Sequence, residues 1–259
     1  MSTSFPQNLP PQFAAFGDRE WTEVTLGESG AGVWRIHGGG ETLFLKHAPV
    51  HPLSEMPGEV ARLNWLASTP VPAPRVREYV EIDDTSWLLM TALPGRDLTE
   101  LTDDPARLCQ VLASGLRAVH ALDPGNCAFD QRLTAKLREG SANVAAGLVD
   151  ETDFDDAYDG WTASAVLDWL LAHQPSNEDL VVAHGDASLP NIMAENGNFS
   201  GIIDCGRLGV ADPWQDLAIA CRSIIFNCGE AHVPTFLAAY GADWDEERFR
   251  YYCALDELF

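Results

Sequence analysis

The stretch HGDASLPNIMAENGNFSGIIDCG, residues 184–206, sets Asp186, Asn191 and Asp204 among turns and short apolar runs. Phosphoryl transfer asks little covalent help of a protein, but it does ask for positioning and for compensation of negative charge. These residue types in this order can supply both. In the spacing H-x-D-x-x-x-x-N, met at His184, Asp186 and Asn191, the Asp accepts the proton of an attacking hydroxyl and the Asn binds a metal. In the D-x-G turn at Asp204, Cys205 and Gly206, the Asp bridges metal and phosphates. Asn196-Gly197 reads as a hairpin turn that returns the chain, so that both metal ligands come to one side. Magnesium takes oxygen donors and keeps several waters, so one carboxylate and one amide are sufficient. His184 is expected to support this loop through hydrogen bonds.

The same chemistry needs cations and amides for the phosphates. Lys46 stands at the end of the strand-like segment TLFLKHA, and Glu59 on the following helix can pair with it and keep it aimed. Gly27, Gly30 and Gly32 can form a turn over phosphates, although Ser29 occupies the place of the middle glycine in G-x-G-x-x-G. Singly, each feature is ordinary: a strand-end lysine is usually a solvated edge charge, and a lone helix Glu is usually exposed. In this order together, they point to nucleotide-dependent phosphoryl transfer.

The elements that must position these groups fall into two regions. EWTEVTL, GVWRIHG, ETLFLKHA, VREYVEI and TSWLLMTA read as strands, with a helix in SEMPGEVARLNWLAS whose stripe is Val60, Leu63 and Leu66. TALPGRDL reads as a linker. From Asp104 the period becomes helical, with Leu108, Val111, Leu112, Leu116 and Val119 on one face and Val166, Leu167, Leu170 and Leu171 on another. Helical patterns return in PWQDLAIACRSIIF, VPTFLAAYG and EERFRYYCALDELF. The expected fold class is α+β, with an N-terminal antiparallel sheet and one helix at 1–92 and a larger, mainly helical lobe at 93–259.

Sixteen basic and 39 acidic residues give a net charge of −23, which repels nucleic acid and attracts cations. At 46% hydrophobic and 21% charged residues the chain is globular and not disordered. No run is long and apolar enough for a membrane, and the N-terminus lacks a secretory pattern. Six cysteines without a C-x-x-C pair read as small apolar residues of a reducing cytoplasm. The chain is expected to act as a monomer or a weak dimer.

The segments HGDASLPNIMAENGNFSGIIDCGRLGVAD, EVARLNWLAS, GLVDETDFDD and LDELF resemble the aminoglycoside 3′-phosphotransferases, most of all their type II neomycin–kanamycin branch, along essentially the whole chain. The resemblance implies a protein-kinase-like two-lobed fold, with ATP and magnesium as cofactors. It implies phosphorylation of the 3′-hydroxyl of kanamycin- or neomycin-like antibiotics, giving resistance. Position by position, it implies Asp186 as base, Asn191 and Asp204 as magnesium ligands, and Lys46 on the α- and β-phosphates with Glu59 as its partner. It places Ser29 near the β-phosphate, Phe44 on the adenine ring, and Met90 with the backbone of Thr91 to Leu93 along the adenine edge. For the acceptor it implies Asp155 and Asp156 in a loop, Arg222 as a polar wall, and Asp256, Glu257 and the carboxylate of Phe259 as a floor. Arg207 braces the metal turn or the transferred phosphate, and Asp216 is the buried acid under the catalytic loop. Two dense acidic clusters, DETDFDDAYD and LDELF, independently suit a polyamine sugar. Asp156 in place of a Glu, and the segment SIIFNCGEAHVPTF, depart from the family pattern and bear on which antibiotics fit. The competing readings are a kinase for another hydroxylated amine such as choline, which has no use for two acidic clusters, and a nucleotide-binding pseudokinase, which need not keep Asp186.

Overall fold

The structure, a computed structural model, describes residues 9–24, 32–51 and 54–259, so Gly27, Ser29 and Gly30 lie outside the described residues. The chain divides into two compact units, Met1–Pro94 and Gly95–Phe259.

In the first unit, β1 (Glu20–Val24), β2 (Gly32–Gly38), β3 (Glu41–Pro49), β4 (Val76–Ile82) and β5 (Thr85–Thr91) form an antiparallel sheet in the order β1-β2-β3-β5-β4. Gly39 and Gly40 turn the chain from β2 to β3 with φ of +66° and +82°, a pair of left-handed values that glycine reaches freely. Alternation along β3 then assigns its two faces. Leu43 and Leu45 join Phe13, Trp21, Trp34, Ile36, Trp87 and Leu89 in an apolar core, while Phe44 and Lys46 take the opposite face. Helix α1 (Met56–Leu66) starts with Pro57 in its first turn and buries Met56, Glu59, Leu63 and Leu66. The expected stripe is thereby rotated: the acid Glu59 faces inward and Val60 is only half-buried.

The second unit carries helices α2 (Pro105–His120), α3 (Leu133–Ala146), α4 (Ala163–Ala172), α5 (Pro213–Cys228), α6 (Val233–Tyr240) and α7 (Glu246–Asp256). Among them lie short strands β6 (Arg96–Asp97), β7 (Val181–Ala183), β8 (Ile192–Glu195), β9 (Asn198–Ile202) and β10 (Gly209–Ala211). β7 pairs with β10, and β6, β8 and β9 form a second small sheet. The β8–β9 hairpin turns at Asn196 and Gly197, with φ of +52° and +73°. α2 buries its expected stripe, Leu108, Val111, Leu112, Leu116 and Val119. α4 buries Ala163, Val166 and Leu170 but exposes Leu171, which lies about 100° further round the helix. α5 is fixed at its start by the fully buried Asp212, which accepts the Trp214 N–H at 2.9 Å, the Asp179 N–H at 3.0 Å and Arg248 Nη1 at 2.5 Å. The six cysteines are free thiols, four of them buried. Among the described residues, no helix is long and apolar enough to cross a membrane.

Leu45 is fully buried next to Lys46, in the core that fixes β3. Leu45→Ala should therefore lower the stability of this sheet by roughly 2–5 kcal/mol, read as a lower midpoint in urea unfolding followed by tryptophan fluorescence.

Candidate active site

The segment after β7 has little backbone pairing of its own, and Asp216 in the first turn of α5 supplies what is missing. This carboxylate is fully buried. Its Oδ2 accepts the His184 N–H at 2.7 Å, its Oδ1 accepts the Gly185 N–H at 2.7 Å, and His120 Nε2 lies 2.9 Å from Oδ2. Burial pushes the Asp216 carboxyl up, but His120 and the His184 donor and ring more than offset it and hold the group below its usual range. His120 itself is set by the Tyr240 hydroxyl, 2.7 Å from its Nδ1. Gly185 has φ +88°, and a Cβ there would lie 2.2 Å from the Arg207 carbonyl oxygen, so only glycine lets the loop lie on that backbone. Further along, Ser223 Oγ on α5 accepts the Leu189 N–H at 3.0 Å.

His184 ties this loop to the strand end that leads into the Asp204–Gly206 turn. Its Nδ1 accepts the Asp186 N–H at 3.2 Å and its Nε2 donates to the Ile203 carbonyl at 2.8 Å, which places the ring proton on Nε2. Asn191 donates through Nδ2 to the Asp186 carbonyl at 3.0 Å and to Asp186 Oδ2 at 2.8 Å, leaving its amide oxygen for a cation. Its own carbonyl accepts the Ile203 N–H at 3.0 Å, which sets Asn191 beside Asp204 across the hairpin. Asp204 is held in the left-handed region, φ +53° and ψ +58°, at the head of the turn Cys205–Arg207. A non-glycine residue held so costs about 1–3 kcal/mol, and such strain collects at functional turns. The described residues hold no cage of three or more His, Cys, Asp or Glu. One carboxylate and one amide oxygen form the sparse hard-donor set that suits magnesium with its retained waters. Burial raises the Asp186 carboxyl above its ordinary range, with Asp256 and Asp204 adding to the shift and His184 and Arg207 opposing it.

In the first unit, Lys46 Nζ lies 3.1 Å from Glu59 Oε2, and Glu59 is only 1% exposed. Phe44 stands opposite Met90 in the β3–β5 register, and both are half-buried. The Thr91 N–H goes to the Arg75 carbonyl at 3.0 Å and the Ala92 N–H to the Thr42 carbonyl at 3.1 Å. Pro94 has no N–H, so among the described residues of this strap the Leu93 N–H is the donor left for a ligand.

The acids expected to line an acceptor surface converge, but not as open carboxylates. Arg222 on α5 stands at their centre, bonded to Asp155 at 2.9 Å, to Glu257 at 3.3 Å and, by a short contact, to Asp256. Arg207, expected at the metal turn or a phosphate, pairs with Asp256 at 3.1 Å. The Asp155 N–H donates to Glu257 Oε2 at 3.1 Å and closes the ring. Burial pushes Asp256 up, and Arg222 and Arg207 reverse this and hold it below its usual range. Burial also pushes Glu257 up, to about 7, with the Asp155 and Asp256 carboxylates adding to it and the Asp155 N–H and Arg222 opposing. Asp156 is exposed and, among the described residues, stays outside this ring. Lys136, buried on α3, places Nζ 3.0 Å from the Phe259 ring centroid, while Arg207 lies 5.9 Å from it. Asn143 Nδ2 holds the neighbouring Leu258 carbonyl at 3.0 Å. Phe226, one turn beyond Arg222, is 89% exposed, so the departing segment offers apolar surface there. His120, Lys136 and Ser223 escaped the sequence reading. The first two lie in stretches without a motif, and Ser223 is recognisable only through its place one residue after Arg222.

The sequence pattern of the phosphotransferase enzyme family, APH, matches residues 20–250. The aminoglycoside 3′-phosphotransferase of Streptomyces fradiae is 39% identical over 255 residues, covering 93% of this chain and 95% of that protein. One from Escherichia coli is 35% identical, covering 93% and 90%. The crystal structure of a type VIII aminoglycoside-3′-phosphotransferase superposes with a TM-score of 0.83 at 36% identity, over 93% of this chain and 94% of that one. The Streptomyces rimosus aminoglycoside phosphotransferase APH(3″)-Id in complex with ADP and streptomycin superposes with a TM-score of 0.81 at 27% identity, over 95% of each. A match along most of the chain, with relatives this similar over nearly their whole length, shows that the protein belongs to the phosphotransferase enzyme family, among the aminoglycoside 3′-phosphotransferases, and has their kinase-like fold.

Proposed function

We propose that the protein transfers the γ-phosphate of ATP to the 3′-hydroxyl of kanamycin- or neomycin-type aminoglycosides and so confers resistance. The observation that carries this is the loop in which Asp186 and Asn191 are hydrogen-bonded together beside Asp204. That relatives of 35–39% identity are aminoglycoside 3′-phosphotransferases, and that a further neighbour was solved with ADP and streptomycin, supports the substrate class.

In this assignment the first unit serves the nucleotide. Lys46, aimed by Glu59, holds the α- and β-phosphates. Phe44 stacks on adenine, while Met90, Thr91 and the Leu93 N–H lie along its edge. The second unit does the chemistry. Asp186 accepts a hydrogen bond from the acceptor hydroxyl, orients it toward the phosphorus and takes its proton. Asn191 and Asp204 would hold magnesium, which when bound neutralises charge on the phosphates. Asp155, Asp156, Asp256, Glu257 and Phe259 bind the ammonium groups, and His184 and Asp216 keep the loop in place. The product has lost a recognition hydroxyl and gained negative charge, which opposes binding to ribosomal RNA. A reaction that consumes ATP and protects ribosomes belongs in the cytoplasm. A singly charged amine such as choline would leave most of these carboxylates without purpose.

Asp186→Ala should lower kcat for kanamycin by roughly 10²–10⁴-fold while the Kd for ADP, read by calorimetry, changes little; comparable turnover would overturn the assignment. Asp216→Asn keeps one acceptor oxygen and sets an NH2 donor against one of the two loop amides. Tm and kcat should fall together, and amide exchange at His184 and Gly185 should quicken. Glu257 faces Asp155, Arg222, Asp256 and Tyr158. It is neutral below about 7 and gains charge above it, so KM for kanamycin should fall between about pH 6 and about pH 8 while KM for ATP stays level. Because its folded pKa is raised, its contribution to stability is full below the unfolded value and lost as pH rises through about 7. The Tm of the free enzyme should thus decline from about pH 4.5 to about pH 7 and level off above it, and Glu257→Gln should flatten both trends.

A further inference from the structure

Resting on the function just proposed, we infer that Arg222 is an internal occupant of the acceptor site, a side-chain cation that a substrate ammonium group displaces. Its guanidinium already bonds three of the carboxylates assigned to the antibiotic, Asp155, Asp256 and Glu257. A guanidinium and an alkylammonium offer the same carboxylates the same chemistry, charged N–H donors. Both cannot fill one set of lone pairs at full strength.

The arrangement has a clear electrostatic reason. Three carboxylates held this close would repel one another and lose charge if left alone. Burial opposes the charge on Arg222, yet Asp256 and Asp155 more than compensate and keep it protonated. Together with Arg207 on Asp256, it offsets part of the negative charge of the free site in a chain whose net charge is −23. The contact is also able to open. The Arg222 side chain is 30% exposed, and its partner Asp155 is 46% exposed on a loop, so exchange needs rotamer changes and no refolding.

Binding is then an exchange, and affinity is the difference between the two pairings. A molecule with one ammonium group merely replaces one cation with another. A molecule with several gains further contacts after displacing Arg222, so the internal cation raises the number of charges a ligand must carry before it binds. Arg222 thereby acts as a specificity-determining residue that discriminates against small amines.

The test replaces Arg222 by Met, which keeps length and removes charge. In Arg222→Met, the Kd for kanamycin measured by calorimetry without nucleotide should fall by about tenfold, with a steeper salt dependence. KM for ATP should not move. Spermine, which has the amines but no sugar hydroxyl, should become a much stronger competitor against kanamycin. Arg222→Lys, which retains a cation, should show no such gain. A rise in Kd for kanamycin, with spermine no better, would mean that Arg222 itself contacts the antibiotic, and the inference would be overturned. Should the Met variant fold poorly, the wild-type protein decides: the Arg222 Nε resonance should shift on saturation with kanamycin as the three carboxylates are released, and an unchanged resonance refutes displacement. Failure of the wild-type enzyme to phosphorylate any aminoglycoside would instead refute the proposed function, a result separate from either binding outcome.

Discussion

The second unit is organised around one buried carboxylate. Asp216 has no access to water, and such a group is costly unless every lone pair is answered. Here the His184 and Gly185 amides and the His120 ring answer them. Charge-assisted bonds of this kind are among the stronger ones available, and low local dielectric strengthens them further. Two consecutive backbone amides aimed at the two oxygens of one carboxylate leave the loop almost no freedom to turn. The position of Asp186, two residues after the first of them, follows from that grip and not from local propensity.

The grip matters because α5 carries more than Asp216. The same helix holds the far end of the loop through Ser223 and reaches the acid ring through Arg222. Its own start is clamped by Asp212 through Trp214, Asp179 and Arg248. Asp186, Asn191 and the acid ring are therefore referred to one helix, which is how a proposed site is held in fixed geometry by its scaffold. The compensated ring at Arg222 also separates two uses of charge. The overall −23 acts at a distance and draws cations in; the local ring decides which cations stay.

How much of this could be read from the sequence depended on whether a residue's task left a pattern. The strand alternation that separates Leu43 and Leu45 from Phe44 and Lys46 was legible, as was the stripe of α2, because burial there is purely apolar. The convergence of His184, Asp186 and Asn191 was legible from their spacing, and the structure hydrogen-bonds Asp186 to both of the others. α3 was missed, since its buried face mixes Leu133 and Leu137 with Lys136, Gly140 and Asn143 and shows no hydrophobic period. The turn of α1 was misjudged for a related reason: its inward stripe includes an acid whose burial depends on Lys46. The acid-rich loop and tail were recognised as a cluster, but composition counts charges without pairing them, so the contacts of Arg222 and Arg207 with these acids were not visible.

The ion pairs themselves argue for function over stability. A buried pair such as Lys46–Glu59 must recover several kcal/mol of desolvation for each ion, and well-packed apolar residues in its place often stabilise a protein as much or more. A fold selected only for stability has little reason to put Glu59 at 1% exposure on the inner face of α1, between Met56 and Leu63. What the pair provides is direction: the Lys46 ammonium is aimed by its contact with Glu59 at 3.1 Å. The same reasoning applies to Arg222 among Asp155, Asp256 and Glu257, where net stabilisation is modest and orientation is strict. Both arrangements are poor devices for holding a fold together and good ones for meeting a charged ligand.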